Sequence, residues 1–175
     1  MVRPPVPDSP PRVLAYVSKR LSAWRPSMRR DIIDHGDILV LSLFAQGQTF
    51  NFMNVYSDSE FTAIKLLAER ADTLPQFQYM VGDFNCHSSL WDPVPRAANV
   101  AASHWLLNAA QTIVLELDPV SSPGPTHIPR DASKHPSVID LVFLPVTVTA
   151  SVNTKHVTDA QPDSDHIPLL KHVPV

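Results

Sequence analysis

Apolar and polar positions along this chain change their period several times, and each change predicts an element. The run Asp37–Phe44 is almost continuously apolar and reads as a buried strand. Gln46-Gly47-Gln48 then predicts a hairpin turn into a second strand, Thr49–Tyr56. From Phe61 the period lengthens, and Phe61, Ile64, Leu67, Ala68 and Ala71 fall on one stripe of a helix. Ser57-Asp58-Ser59-Glu60 has the capping-box form, so that helix is expected to start at Ser57. A strand at Gln76–Phe84 follows, then an irregular loop around Trp91-Asp92-Pro93. A second helix is expected over Arg96–Ala110, with Ala98, Ala102, Trp105, Leu106 and Ala109 on one face. Strands are expected at Thr112–Leu117, Ser137–Leu144 and near His166–Leu170, with a Pro/Ser/Gly loop over Asp118–Pro136. A further strand, Arg12–Val17, precedes the basic segment Ser18–Asp34. Strands interleaved with two helices give an α/β class.

Side chains two apart on a strand share a face, so parity shows which polar residues interrupt a buried face. Phe50, Phe52, Asn54 and Tyr56 share one face. Phe77, Tyr79, Val81, Asp83 and Asn85 share another, which delivers a carboxylate and an amide at the carboxyl end of an apolar strand. Val138, Asp140 and Val142 place an aspartate between two valines. Burying a carboxylate costs several kcal/mol, on the order of 2–7 for a polar group, unless it is paired or hydrogen-bonded. Capping of turns and bonding to loop amides is the ordinary answer for any one of these residues. Ser164-Asp165-His166 adds an acid beside an imidazole, and a histidine with a carboxylate partner is oriented and more readily protonated.

The chain has 175 residues, enough for one domain, with 44% hydrophobic and 18% charged residues, as in a packed globular protein. Residues 1–11 hold five prolines and read as an extended lead-in, which leaves 12–175 as the domain. The single cysteine, Cys86, excludes an internal disulfide framework and cysteine-rich zinc modules, which fits a reducing intracellular compartment, the nucleus included. No stretch of about 18 apolar residues is present to span a bilayer, so no membrane partner is expected. A net charge of −3 excludes wholesale coating of nucleic acid but leaves room for a local basic patch such as Lys19–Arg30.

Four short motifs stand in order: Asn54-Val55-Tyr56, Gly82-Asp83-Phe84-Asn85, Ser137–Phe143 and Ser164-Asp165-His166. Together they resemble the endonuclease/exonuclease/phosphatase superfamily, and within it the endonuclease domains of LINE-type retrotransposons, which are similar to AP endonucleases. Cys86-His87, Trp91, and Thr126 after Gly124-Pro125 look like that subgroup too. The resemblance implies a four-layered α/β sandwich, two packed mixed sheets flanked by helices, and a Mg²⁺-dependent (or Mn²⁺-dependent) phosphodiester hydrolase acting on nucleic acid, DNA above all. It implies that Asp83 orients or deprotonates the attacking water and that Asn85 bonds that water or the phosphate. His166 would contact phosphate oxygens with its ring held by Asp140, Asp165 would lie at the metal, and Asn54, Tyr56 and His87 would line the substrate pocket.

The same resemblance implies a departure. Family members carry an Asn on a first strand and a metal-binding Glu on a second, ahead of the region matched by Arg12–Val17, so the domain is expected to be N-terminally incomplete. Glu60, Glu69 and Glu116, the only glutamates, match no motif position. Two further readings follow: a catalytically inactive domain that binds nucleic acid or protein, and, ranked lower, a phosphatase of the same superfamily.

Overall fold

A computed structural model describes residues 10, 12–92, 99–118, 124–149, 154–158 and 164–172. A 3₁₀ turn at Lys19–Trp24 leads to the short strand β1 (Ser27–Met28), followed by β2 (Ile38–Ala45) and β3 (Gln48–Tyr56). The hairpin β2–β3 turns at Gln46 and Gly47, with φ of 52° and 77°, the left-handed pair that matches the twist of the flanking strands. Helix α1 (Thr62–Arg70) carries the chain back to β4 (Tyr79–Asp83), which is parallel to β3. Then come α2 (Val100–Thr112), β5 (Leu115–Leu117), β6 (Asp140–Pro145), the single turn α3 (Val146–Thr149), β7 (Lys155–His156) and β8 (Leu169–Leu170).

The strands form a six-stranded mixed sheet in the order β1-β2-β3-β4-β6-β5 and a two-stranded sheet, β7–β8. This is the mixed α/β architecture that the sequence predicts. Among the described residues, the second sheet of the expected sandwich is represented by β7–β8. One face of the large sheet is packed by α1 and α2. Val40, Met53, Val55, Met80 and Phe143 meet Ile64, Leu67 and Leu106 there in a buried core. On the opposite face Leu39, Leu41, Leu43 and Phe52 form a second cluster with Val13, and Trp24 and Met28 pack against it. At about 25 cal/mol per Å² of apolar surface removed from water, these two faces supply the main drive for folding.

Several boundaries depart from the sequence expectation. Arg12–Val17 forms no strand, because Val13, Ala15 and Val17 lie across the second face instead of joining the edge. Arg12 is fastened there by two hydrogen bonds from its guanidinium to the buried Asp37 carboxylate. Helix α1 starts at Thr62 and not at Ser57. Ser57 is taken up by the sheet instead: its N–H donates to Asp83 O at 2.8 Å and its carbonyl accepts from Asn85 Nδ2 at 2.8 Å. Asp58 does the capping, accepting from Thr62 N at 2.9 Å. Helix α2 begins at Val100, residues 96–98 of the expected start lie outside the described residues, and Trp105 sits at the edge of its face, 37% exposed. The strands at Thr112–Leu117 and Ser137–Leu144 shorten at their amino ends to Leu115 and Asp140, and the last one to Leu169–Leu170.

Gly82 sets how closely β4 approaches β3. A Cβ there would lie 1.8 Å from Val55 O and 2.7 Å from Val55 C, both backbone atoms that move only with the strand. We expect Gly82→Ala to destabilise the fold by about 3 kcal/mol or more, the scale of forced overpacking in a core. Denaturant unfolding measures it, and a loss below about 1 kcal/mol would show that β3 and β4 separate freely.

Candidate active site

The register of three adjacent strands gathers polar residues at one end of the second face. Tyr56 is the Cα partner of Asp83 in the parallel β3–β4 pair, and Asp83 is the Cα partner of Asp140 in the antiparallel β4–β6 pair. Partnered residues point to the same side of a sheet. Two carboxylates therefore stand side by side where apolar strands end. His166 enters from the segment leading to β8, with Nδ1 2.9 Å from Asp140 Oδ2 and Nε2 3.8 Å from Asp83 Oδ2. A cleft of about 390 Å³ opens beside them, lined by Asn54, Asp83, Asp140, Ser164, His166 and Lys171 among others.

This arrangement shifts the ionisation of both groups. Burial, followed by the negative charge of Asp140, pushes the Asp83 carboxyl up to about 6, although a hydrogen bond from Asn85 N to Oδ1 at 3.0 Å favours the ionised form. Burial pulls the His166 imidazole down, but the hydrogen bond and charge of Asp140, with help from Asp83 and Asp165, more than offset it and raise its pKa. A poised carboxyl beside a carboxylate-supported imidazole gives the cleft a proton acceptor and a cationic donor at the same pH.

The other sequence-predicted residues divide between the cluster and its frame. Asp165 joins the cluster, with Oδ2 3.4 Å from His127 Nε2. Asn85 follows the strand in a left-handed conformation (φ 46°), and its side-chain amide bonds Ser57 O, which ties the ends of β3 and β4 together. Asn54 lines the cleft and donates to Leu14 O at 3.2 Å. Tyr56 lies under the Arg12 guanidinium, 4.6 Å from its ring centroid. His87 is not brought to the cluster. Its Nδ1 meets the buried Asp92 at 3.0 Å, its N–H donates to Asn99 Oδ1, and Trp91 Nε1 donates to Cys86 O at 3.0 Å, so it helps hold the loop after β4.

Two residues of this neighbourhood carried no strand-face signal. Thr126 is fully buried, and its Oγ1 accepts from Ile139 N and Asp140 N at 3.0 and 2.9 Å, which fixes the start of β6. His127 pairs with His166 across an isolated bridge, and the two rings stand 4.8 Å apart. Only the Gly124-Pro125-Thr126 motif hinted at either. Two overlapping trios, Asp83–Asp140–His166 and His127–Asp165–His166, keep their ligand atoms within 4.8 Å of one another, as a metal ion would require. No helix among the described residues is long and apolar enough to cross a membrane.

Comparison with known proteins gives the arrangement a context. The structure is similar to the endonuclease domain of TRAS1, a telomere-specific non-LTR retrotransposon, with a TM-score of 0.61 and 16% identity over 80% of this chain and 64% of that one. It is also similar to an endonuclease/exonuclease/phosphatase family protein from Leptotrichia buccalis, with a TM-score of 0.51 and 17% identity over 79% of this chain and 54% of that one. At these identities the likeness is one of fold, and the chain spans less than two thirds of either protein. A search of curated protein sequences gives no match. The family described as Endonuclease-reverse transcriptase matches residues 50–170, from the strand that ends at Tyr56 through every member of the cleft cluster to the end of β8. The chain belongs to that family.

Proposed function

We propose that this chain is a metal-dependent phosphodiester hydrolase of endonuclease type acting on nucleic acid, with DNA as substrate. The observation that carries the reading is the paired Asp83 and Asp140 at adjacent strand ends with His166 between them, open to a cleft. Displacement at phosphorus needs a positioned water, charge stabilisation on the phosphate oxygens and help for the leaving oxygen. Asp83, held by Asn85 N, takes the proton of the attacking water. His166, cationic and held at Nδ1 by Asp140, turns its Nε2–H to a phosphate oxygen. Asn54 lines the cleft, Tyr56 stands beside Asp83 at the end of β3, and Asn85 keeps the Asp83 strand end in place.

Asp165 fits a hydrated Mg²⁺ or Mn²⁺, because it is a carboxylate 44% accessible to water between the cleft-lining Ser164 and His166, and such ions keep several waters and take one or two carboxylates. Asp83 and Asp140 hold further carboxylate oxygens in the neighbouring trio, which shares His166 with that of Asp165. A bound ion would supply Lewis-acid stabilisation of the charged phosphate, worth several kcal/mol or several decades of rate. One observation favours a second reading, an inactive domain that binds nucleic acid. Glu60, Glu69 and Glu116 are all exposed and belong to neither ligand trio, so no glutamate reinforces ion placement among the described residues.

Supercoiled plasmid separates the two readings. We expect slow nicking in millimolar Mg²⁺ that EDTA abolishes and that Asp83→Ala and His166→Ala each reduce by about 10²-fold or more, the range for lost acid–base groups. Nicking that survives both substitutions overturns the site, and DNA binding with no nicking in Mg²⁺ or Mn²⁺ supports the binding module. In the metal-free chain the Asp83 base is lost by protonation as pH falls through about 6, and a bound divalent cation would move that loss, and the acid limb of the rate, to lower pH.

The same shift has a stability consequence. The folded state holds the Asp83 proton more tightly than the unfolded chain, with an ordinary value of 3.8. That contribution is fully present below about pH 4 and is lost as pH rises through about 6. At neutral pH the ionised carboxylate therefore costs up to about 3 kcal/mol, at 1.36 kcal/mol per pH unit. In metal-free buffer Asp83→Asn should raise Tm by several degrees near about pH 7.5, at about 2–4 °C per kcal/mol, with the gain vanishing near about pH 4. An unchanged or lower Tm at neutral pH would contradict the assigned burial cost.

A further inference from the structure

We infer that His127, Asp165 and His166 form a binding site for a zinc-class transition-metal ion on the rim of the cleft, sharing Asp165 with the proposed Mg²⁺ but adding two imidazoles in place of carboxylate oxygens. The inference stands on the geometry of this trio. Its inhibitory consequence alone rests on the hydrolase reading.

The backbone builds the site before any ion arrives. His127 exchanges N–H···O bonds of 2.9 Å with Ser137 on one side. On the other side Ile128 N donates to Asp165 O and Ile167 N donates to Thr126 O, both at 2.7 Å, so the segments carrying His127 and His166 run as a short antiparallel pair. That pairing holds the two rings 4.8 Å apart on the same side.

Each imidazole is also oriented through its other nitrogen. His166 Nδ1 is engaged by Asp140 at 2.9 Å and His127 Nδ1 lies 3.4 Å from Ser137 Oγ, which leaves both Nε2 atoms as the ligand atoms. A metal-bound histidine characteristically bonds a carboxylate or other oxygen through its second nitrogen, which fixes the ring and raises its basicity. Asp165 completes the trio. The 3.4 Å between its Oδ2 and His127 Nε2 matches an edge of a tetrahedron around an ion with bonds of about 2.0–2.1 Å. All ligand atoms lie within 4.8 Å of one another, so closure needs rotations of order 1 Å by side chains that are 22%, 34% and 44% exposed.

Ligand softness then decides which ion is taken. Two imidazoles and one carboxylate suit Zn²⁺ and its Irving–Williams neighbours, whereas Mg²⁺ requires hard oxygens. Three protein ligands leave a fourth position for water. An ion here occupies the Nε2 of His166, the atom that would otherwise reach a phosphate oxygen, so its presence competes with the proposed hydrolysis.

The test uses the whole chain, stripped of metal, titrated with Zn²⁺ by calorimetry and with Co²⁺ by visible absorption. We expect one ion per chain, micromolar affinity or tighter, and a tetrahedral Co²⁺ spectrum. His127→Ala and Asp165→Asn should each weaken binding at least 10-fold. Circular dichroism and melting show whether each variant folds, and His127→Asn replaces the alanine variant if that one does not. No Zn²⁺ binding at about 100 μM, or undiminished binding in both folded variants, overturns the inference, the latter by assigning the ion to other histidines. Zn²⁺ should also slow Mg²⁺-supported plasmid nicking by the native chain at least 10-fold more than nicking by His127→Ala. Zn²⁺ binding without any nicking would remove the hydrolase reading and leave this site standing. Nicking without Zn²⁺ binding would do the reverse.

Discussion

Two aspartates that face each other across adjacent strands govern this molecule. Asp83 and Asp140 are register partners in β4 and β6, so no side-chain rotation separates them far, and each lies at the end of an otherwise apolar face. The loss of water, followed by their repulsion, raises the Asp83 carboxyl to about 6. His166 is placed where its charge relieves both. A sheet selected for stability alone would avoid such a pair, because replacing buried charges by apolar groups is often neutral or stabilising. Keeping them makes a cleft whose proton affinity differs from that of water.

The rest of the fold holds that pair still. Gly82 lets β4 lie against the Val55 carbonyl, Thr126 fixes the first amides of β6, and the Asn85–Ser57 bond joins the ends of β3 and β4. None of these groups needs to touch substrate. Each removes a degree of freedom from a residue that would. On the other flank Asp37, Arg12 and Tyr56 form a stack that anchors the amino-terminal segment to the same end of the sheet.

Strand-face parity was the most informative signal in the sequence, because a period of two leaves no ambiguity about which side a residue occupies once the strand exists. It marked Asn54 and Tyr56, Asp83, and Asp140 each on the apolar face of its own strand, and the observed register brings Tyr56, Asp83 and Asp140 into line. Capping chemistry was misleading. Ser57 has the right residues after it, but a tertiary demand, continuing the ladder beside Asp83, overrode the local preference, and Asp58 took over. Arg12–Val17 reads as a strand because it is a short apolar run, yet such a run cannot tell pairing at an edge from packing across a face. His127 was illegible for another reason. It lies in a proline-rich loop with no periodicity, and only long-range pairing with Ser137 and His166 gives it neighbours.

The central claim is that Asp140 orients His166 and that Asp140 and Asp83 together raise its affinity for the proton. Nitrogen-15 NMR of the histidine rings in the metal-free chain measures this directly. The account predicts that His166 titrates above the ordinary imidazole value of 6.5 and carries its proton on Nδ1 when neutral, and that Asp140→Asn lowers its pKa. A His166 that titrates at or below 6.5 in the native chain and is unmoved by Asp140→Asn would contradict it.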